Sequence, residues 1–293
     1  MLKTENPHPE HALLDQYSVG ALVDALVDDQ AQAILAVKAA APAIAAAVEA
    51  MAPRIAAGGR LIYVGAGTSG RLGVLDSVEL FPTFSWPRER ARALLAGGMG
   101  AMFESVEGAE DDRTRGASDL RLLYPGFNDV VLLVSASGTT PYVLGALQVA
   151  HVVGALTVGI ASNANVPLVR DTDHGIVTDT GEEIISGSTR LKAGTAQKIV
   201  LNTLSSALMV RLHKVYGNLM VDLQATNVKL IQRAINLTMH ATGADEASCR
   251  AVLEQCQFQV KVAIVALLKQ QPVAEAQHLL DQSNGSVRAA LSK

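Results

Sequence analysis

Leu61-Ile62-Tyr63-Val64 is a short apolar run bounded by glycine that opens directly into Gly65-Ala66-Gly67-Thr68-Ser69-Gly70; Leu72, Leu75 and Val78 then recur at helical spacing. That order reads as a buried strand, a turn of small residues and a helix. Such a unit aims backbone N–H groups and the positive end of a helix dipole at an anion. Gly65, Gly67 and Gly70 also satisfy the dinucleotide pattern G-x-G-x-x-G, which needs an acidic residue about 20 positions on, at the end of the next strand. The next strand candidate, Ala91 to Ala96, runs into Gly97-Gly98 with no carboxylate. A nicotinamide dinucleotide is therefore rejected, and the hydroxyls of Thr68 and Ser69 suit a single phosphate group.

A second turn of the same kind follows Asp129-Val130-Val131-Leu132-Leu133-Val134, where the chain reads Ser135-Ala136-Ser137-Gly138-Thr139-Thr140-Pro141. Hydroxyl side chains clustered between a strand and a helix form a nest for a tetrahedral oxyanion. One loop of this composition is more often an ordinary helix cap. Two loops at equivalent ends of two strands favour a phosphate site in the crevice where such sheets bind ligands.

The 293 residues suit one large or two small domains, and 49% hydrophobic residues allow a substantial core. A net charge of -4 leaves no basic footprint for nucleic acid. Cys249 and Cys256 lack metal-ligand spacing and read as buried thiols in a reducing compartment. The polar N-terminus lacks a signal-peptide core, and no apolar run is expected to span a bilayer, so the chain reads as a cytoplasmic protein.

In order, residues 1–16 read as an irregular arm whose His8 and His11 are solvated, lacking partners at ligand spacing. Val19 to Ala57 is alanine-rich and helical, with Asp28-Asp29 expected to break a short helix from a long one. Residues 58–185 alternate strands (60–64, 91–96, 129–134, 155–161, 174–179) with helices (70–80, about 99–106, 111–123, 140–153), which argues for a parallel sheet with helices on both faces. Leu191 through Val215 reads as one long helix. Arg190, Lys192 and Lys198 near its start oppose the dipole, so an anionic ligand or nearby acids are expected to compensate; Lys198 alone reads as a solvated face. Asp222, Thr226 and Asn227 suit core or subunit contacts as readily as a site. Short amphipathic helices at 245–256, 258–270, 274–282 and 285–292 make a compact tail. The expected organisation is an N-terminal arm and helices (1–50), a sugar-phosphate-binding domain (51–216), a connecting helix (217–242) and a small all-helical domain (243–293).

Two carboxylate groups stand out. Glu79 precedes Leu80-Phe81-Pro82, whose apolar side chains could desolvate it in part and raise its pKa, as suits a proton donor; an acid on a helix surface is usually the better reading. Glu107, Glu110, Asp111 and Asp112 surround a glycine break. Runs like this are mostly solvated, but this one lies beyond a strand end on the crevice side, where two carboxylates near a sugar phosphate can act as general acid and base.

With those stretches in view, the chain closely resembles the N-acetylmuramic acid 6-phosphate etherases, bacterial lyases of the sugar isomerase (SIS) fold. The resemblance is carried by Gly59–Glu79, Val106–Asp111, Ser135–Val143, Ser186–Lys198 and Gly217–Leu230, and it extends over nearly the whole chain. It implies an SIS-type α/β parallel-sheet sandwich with helices on both faces and a small C-terminal all-helical domain. It implies cleavage of the D-lactyl ether of N-acetylmuramic acid 6-phosphate to N-acetylglucosamine 6-phosphate and D-lactate, during peptidoglycan recycling, with no metal or redox cofactor. The family's catalytic glutamates map to Glu79, donor to the leaving group, and Glu110, its partner base; Glu110 is preferred to Glu107 because it fills the second glutamate of Glu107-Gly108-Ala109-Glu110-Asp111. Ser69, Ser135, Ser137 and Thr140 map to phosphate contacts, with Gly67, Thr68, Gly138, Ser188 and Lys192 as further substrate contacts. A homodimer with sites near the interface is implied.

The chain departs from the family's usual sequence at Val78 (usually Ser), at Leu80-Phe81 (usually Cys-Pro), at Thr139 (usually Arg), and in the N-terminal arm, where an Arg is missing. Two other readings fit the same fold: a sugar-phosphate-binding regulator related to glucokinase regulatory proteins, and an aldose–ketose sugar phosphate isomerase, which leaves the second carboxylate unexplained.

Overall fold

The computed structural model describes residues 2–225 and 227–293; Thr226 lies outside the described residues. It divides into two compact units, Met1–Val78 with Arg88–Ser205, and Glu79–Pro87 with Ser206–Lys293.

The first unit is a five-stranded, all-parallel sheet. Its strands are β1 (Leu61–Gly65), β2 (Ala91–Leu95), β3 (Val130–Val134), β4 (Leu156–Ala161) and β5 (His174–Val177), in the order β2-β1-β3-β4-β5. Four are the apolar runs expected from sequence. The fifth stops at Val177, two residues short of the expected end. The helices are α1 (Val19–Ala56), α2 (Gly67–Phe84), α3 (Arg113–Arg121), α4 (Pro141–Val152), α5 (Pro167–Arg170) and α6 (Lys192–Arg211); α2 and α6 each run on into the second unit. Side-chain alternation sorts the layers. Ile62, Val64, Val131 and Leu133 face one side, where they pack with Leu120 of α3 and Tyr142, Val143 and Ala146 of α4. On the other side Tyr63 donates its hydroxyl to Asp76 of α2 at 2.8 Å. Asp76 in turn accepts from Asn202 and Ser205 of α6 at 2.5 and 3.2 Å. Burial, and then the Asp76 carboxylate, hold the Tyr63 phenol well above its usual pKa.

The N-terminal ends of β1 and β3 are tied by one ion pair. Asp129, 5% exposed, takes Nε and Nη2 of Arg60 at 3.0 and 2.6 Å and the backbone N–H groups of Arg60 and Gly126, each at 2.9 Å. Burial opposes its charge, but the guanidinium and the two amides outweigh it and set the carboxyl below its ordinary range.

Several expectations are corrected. Asp28-Asp29 does not break α1, which runs unbroken for 38 residues. Asp29 is buried and holds Lys192 Nζ at 2.6 Å, so its charge is met across the fold and does not stop the helix. That continuity also makes α1 long and apolar enough to cross a bilayer, contrary to expectation. Ala33, Val37, Ala40, Ile44, Ala47, Val48 and Met51 are buried, while Val19, Val23, Val27 and Ile34 are exposed. The region expected as a helix at 99–106 holds a single 3-10 turn, Met99–Met102; a helix there would need more than its glycines and one apolar turn. The N-terminal arm is anchored: Thr4 is fully buried, Asn163 donates to its hydroxyl at 3.1 Å, and Asn163 Oδ1 accepts from the Lys3 amide at 2.9 Å. His8 is half-buried, 3.8 Å from Asp29, and so is not solvated as expected.

In the second unit, α6 ends at Arg211 and not at Val215, because His213 turns into the left-handed region (φ +61). A two-residue hairpin, β6 (Val215–Tyr216) and β7 (Leu219–Met220), follows. Then come α7 (Val228–Thr242), α8 (Glu246–Gln255), α9 (Val260–Lys269), α10 (Val273–Asp281) and α11 (Val287–Ser292), packed around Ile264, Val265, Leu253 and Ile235. Asp222 pairs with Lys214 and, at 3.1 Å, with Lys261. Cys249 and Cys256 are buried free thiols.

Replacing Asp129 with Asn is expected to lower the unfolding free energy at pH 7 by about 2–3 kcal/mol, because it leaves Arg60 without its charge partner. A depressed carboxylate stabilises above its unfolded pKa of about 3.9 and loses that contribution as pH falls through its folded value. The gap between wild type and variant therefore narrows in urea titrations below about pH 4; a gap that does not change with pH would refute this assignment.

Candidate active site

The first loop is shaped by a backbone-to-backbone approach. A Cβ on Gly65 would lie 2.6 Å from the Gly70 nitrogen, and one on Gly70 would lie 2.6 Å from the Gly65 oxygen and 2.4 Å from Leu95. Only glycine at both positions lets α2 begin directly above the end of β1. The helix N-terminus thus stands at the C-terminal edge of the sheet, where β1 sits between β2 and β3.

The second loop gathers its hydroxyls. Ser135 Oγ lies 2.7 Å from Thr140 Oγ1 and 3.1 Å from Ser137 Oγ, and accepts the Gly138 N–H at 3.0 Å. Gly138 has φ +73, and a Cβ there would collide with Val166 at 2.2 Å. The backbone therefore folds back over Ser135 and turns the three hydroxyls toward one another.

On the β2 side of the first loop lies a cavity of about 360 Å³, lined by Gly67, Arg71, Ala96, Glu107, Gly108 and Glu110 among others. Glu110 sits in a single 3-10 turn, Ala109–Asp111, entered through Gly108 at φ +70. Glu107 and Glu110 share this cavity, so geometry alone does not separate them. Asp112 is accounted for as the cap of α3, accepting from the Arg115 amide at 2.8 Å. Arg71 donates Nε to the Ala101 carbonyl at 2.9 Å.

Glu79 lies in the second unit with its side chain exposed. The expected desolvation by Phe81 and Pro82 is absent within one chain, because α2 continues through Pro82 and leaves Glu79 on its outer surface. Val78 beside it and Leu75 one turn earlier are also exposed.

The remaining residues predicted from sequence fall apart from the cavity lining. Ser69 donates its hydroxyl to Gln197 Oε1 at 2.9 Å. Thr68 faces Gly194 of α6. Ser188 belongs to the turn before α6, where its carbonyl accepts the Leu191 N–H. Lys192, 2% exposed, spends its ammonium on Asp29. Of the cations at the start of α6, Lys192 is thus met by an acid of the chain itself. Asp29 takes Lys192, and the buried Glu183 accepts the N–H groups of Lys192 and Ala193 at 3.1 and 3.0 Å. Burial raises the pKa of Glu183 despite those donors. Arg190 and Lys198 are exposed.

Sequence reasoning passed over Gln197. It is 1% exposed, yet Nε2 has no hydrogen-bond partner among the described residues. Whichever way the amide is turned, one end bonds Ser69 and the other is unmet. Its place among the small residues and cations of Lys192–Lys198 hid it, since a glutamine on a helix carries no signal of its own.

Residues 43–151 match the family described as the glucokinase regulatory protein N-terminal SIS domain, and residues 104–207 match the SIS domain family. The N-acetylmuramic acid 6-phosphate etherase of Deinococcus radiodurans is 56% identical over 291 residues, covering 99% of this chain and 95% of that protein. The enzyme of the same name from Rubrobacter xylanophilus is 50% identical over 292 residues, covering 100% and 96%. Among solved structures, a phosphoheptose isomerase from Francisella tularensis aligns with a TM-score of 0.49 at 20% identity, over 66% of this chain and 98% of that one.

An orphaned buried donor is already a cost to the fold. Gln197→Met is therefore expected to change the unfolding free energy by less than about 1 kcal/mol, measured by urea titration. A loss above about 2 kcal/mol would show that the amide serves folding and not the crevice.

Proposed function

The chain belongs to the N-acetylmuramic acid 6-phosphate etherase family, and from that premise we propose that it cleaves the D-lactyl ether of N-acetylmuramic acid 6-phosphate, releasing D-lactate and N-acetylglucosamine 6-phosphate. The observation that carries this reading is the cavity in which Glu110 faces the N-terminus of α2 at the switch point of the sheet. In the open-chain sugar the carbonyl at C1 acidifies the proton on C2. Glu110 takes that proton, and the C3–O bond to the lactyl group breaks as Glu79 protonates the departing oxygen, leaving a C2–C3 double bond conjugated with the aldehyde. Water then adds its hydroxyl at C3. The carboxylate left by the first step takes the water's other proton, and C2 regains the proton that Glu110 had removed. The net change is one water consumed and one ether cleaved. The phosphate is held by Ser69 and by Ser135, Ser137 and Thr140, with N–H groups of Gly67 and Gly138 contributing as at other glycine-rich anion sites.

The enzyme works as a homodimer in the cytoplasm. Val19, Val23, Val27 and Ile34 of α1 are exposed at spacings of four, four and seven residues, an apolar stripe that a second copy related by a two-fold axis would cover with its own. Exposed Leu75 and Val78 beside Glu79 belong to the same interface, and the second copy desolvates Glu79 there.

D-lactate release from N-acetylmuramic acid 6-phosphate tests the chemistry. Glu79→Gln and Glu110→Gln are each expected to lower kcat by at least about 100-fold, the scale of general acid–base catalysis. A wild type that binds the sugar phosphate and releases no lactate refutes the etherase and leaves a sugar-phosphate-binding regulator, the reading that the match at residues 43–151 favours. The assembly is tested by light scattering: the wild type should give twice the chain mass, and Val23→Glu with Val27→Glu should give a monomer. A monomeric wild type would remove the interface and the proposed shelter of Glu79.

A further inference from the structure

The proposed substrate carries two anions, a phosphate at C6 and the carboxylate of the lactyl group on C3. The two hydroxyl loops answer one of them, and neither loop carries a formal positive charge, since Thr139 stands where an arginine would. Among the described residues, Arg71 is the one cation that lines the cavity with Glu107 and Glu110. Its Nε is spent on the Ala101 carbonyl at 2.9 Å, which fixes the guanidinium plane. Among the described residues it makes no ion pair within 4 Å. Arg60, at the opposite end of β1, is committed to Asp129 and to two carbonyls. An arginine oriented by one bond, with its paired Nη groups left over, has the fork geometry that accepts a carboxylate with two parallel bonds.

The topology also separates the two anions. The cavity opens over β2, through Ala96 and Ala101, while the cluster of Ser135, Ser137 and Thr140 ends β3. These strands flank β1, about 10 Å apart at ordinary strand spacing. A sugar held by its phosphate at the β3 loop and reaching across β1 brings its C3 substituent toward the cavity. We infer that Arg71 binds the lactyl carboxylate and sets the specificity for an acidic ether substituent, an inference that rests on the etherase reading above. The same contact holds the leaving group as the C3–O bond breaks, and it releases a carboxylate product, not a neutral alcohol.

The test compares N-acetylmuramic acid 6-phosphate with the analogue whose lactyl carboxylate is a primary amide, following release of lactate or lactamide by mass spectrometry. The wild type should prefer the acid by about 30-fold or more in kcat/KM, the scale of a charge-assisted bidentate bond. In Arg71→Gln that preference should fall to within about 3-fold of unity, with Arg71→Lys between the two. The ratio is insensitive to partial unfolding, because both substrates meet the same folded fraction. A wild type that takes acid and amide alike, or an Arg71→Gln enzyme that loses both equally and keeps the preference, overturns the assignment and leaves the etherase standing. A wild type that releases neither product overturns the etherase reading and this inference together.

Discussion

The approach of Gly65 to Gly70 is the contact on which the rest of the candidate site depends. No side chain fits between the end of β1 and the first turn of α2, so the helix starts immediately above the strand and its unpaired N–H groups stand at the sheet edge. A methyl group at either position would force backbone apart at a cost of about 1–3 kcal/mol. It would also move Gly67 and Arg71, which line the cavity with Glu110. Binding geometry and packing are here the same constraint.

The second device is a set of buried polar groups that fix α6 against the sheet and against α1. Asp76 receives Tyr63, Asn202 and Ser205. Glu183 closes the first amides of the helix, and Lys192 meets Asp29. Buried charges of this kind return little net stability, because desolvation offsets most of the attraction. They do specify position, since any shift leaves a charge unmet. Within this wiring two buried atoms have no partner among the described residues: Asp29 Oδ2, and the amide end of Gln197 that does not bond Ser69.

Much of this was legible in the linear text. The apolar runs at β1, β3 and β4 read as buried strands and are so, and the glycines after β1 and β3 marked the turns that follow them. The helical tail was legible from short amphipathic repeats. The errors share one cause. Asp28-Asp29 looked like a helix break because a local reading cannot see Lys192, 163 residues away. His8 looked solvated because its partner Asp29 is remote in sequence. Glu79 is the surface acid that the local reading favoured, because its neighbours in sequence turn to other faces of the helix.

Residue types and their order determined by themselves that this chain is a parallel α/β sandwich with a helical appendage, and that glycine-bearing turns follow two of its strands. Those properties rest on periodicity, turn chemistry and glycine, all of which act over a few residues. Tertiary structure alone decided which polar groups are spent and which are free. It engaged Lys192 with Asp29, oriented Arg71 through the Ala101 carbonyl, and set Glu110 in one cavity with Gly67. A charge is free or neutralised according to what lies within a few ångströms in space, and the sheet brings together residues that the sequence keeps far apart.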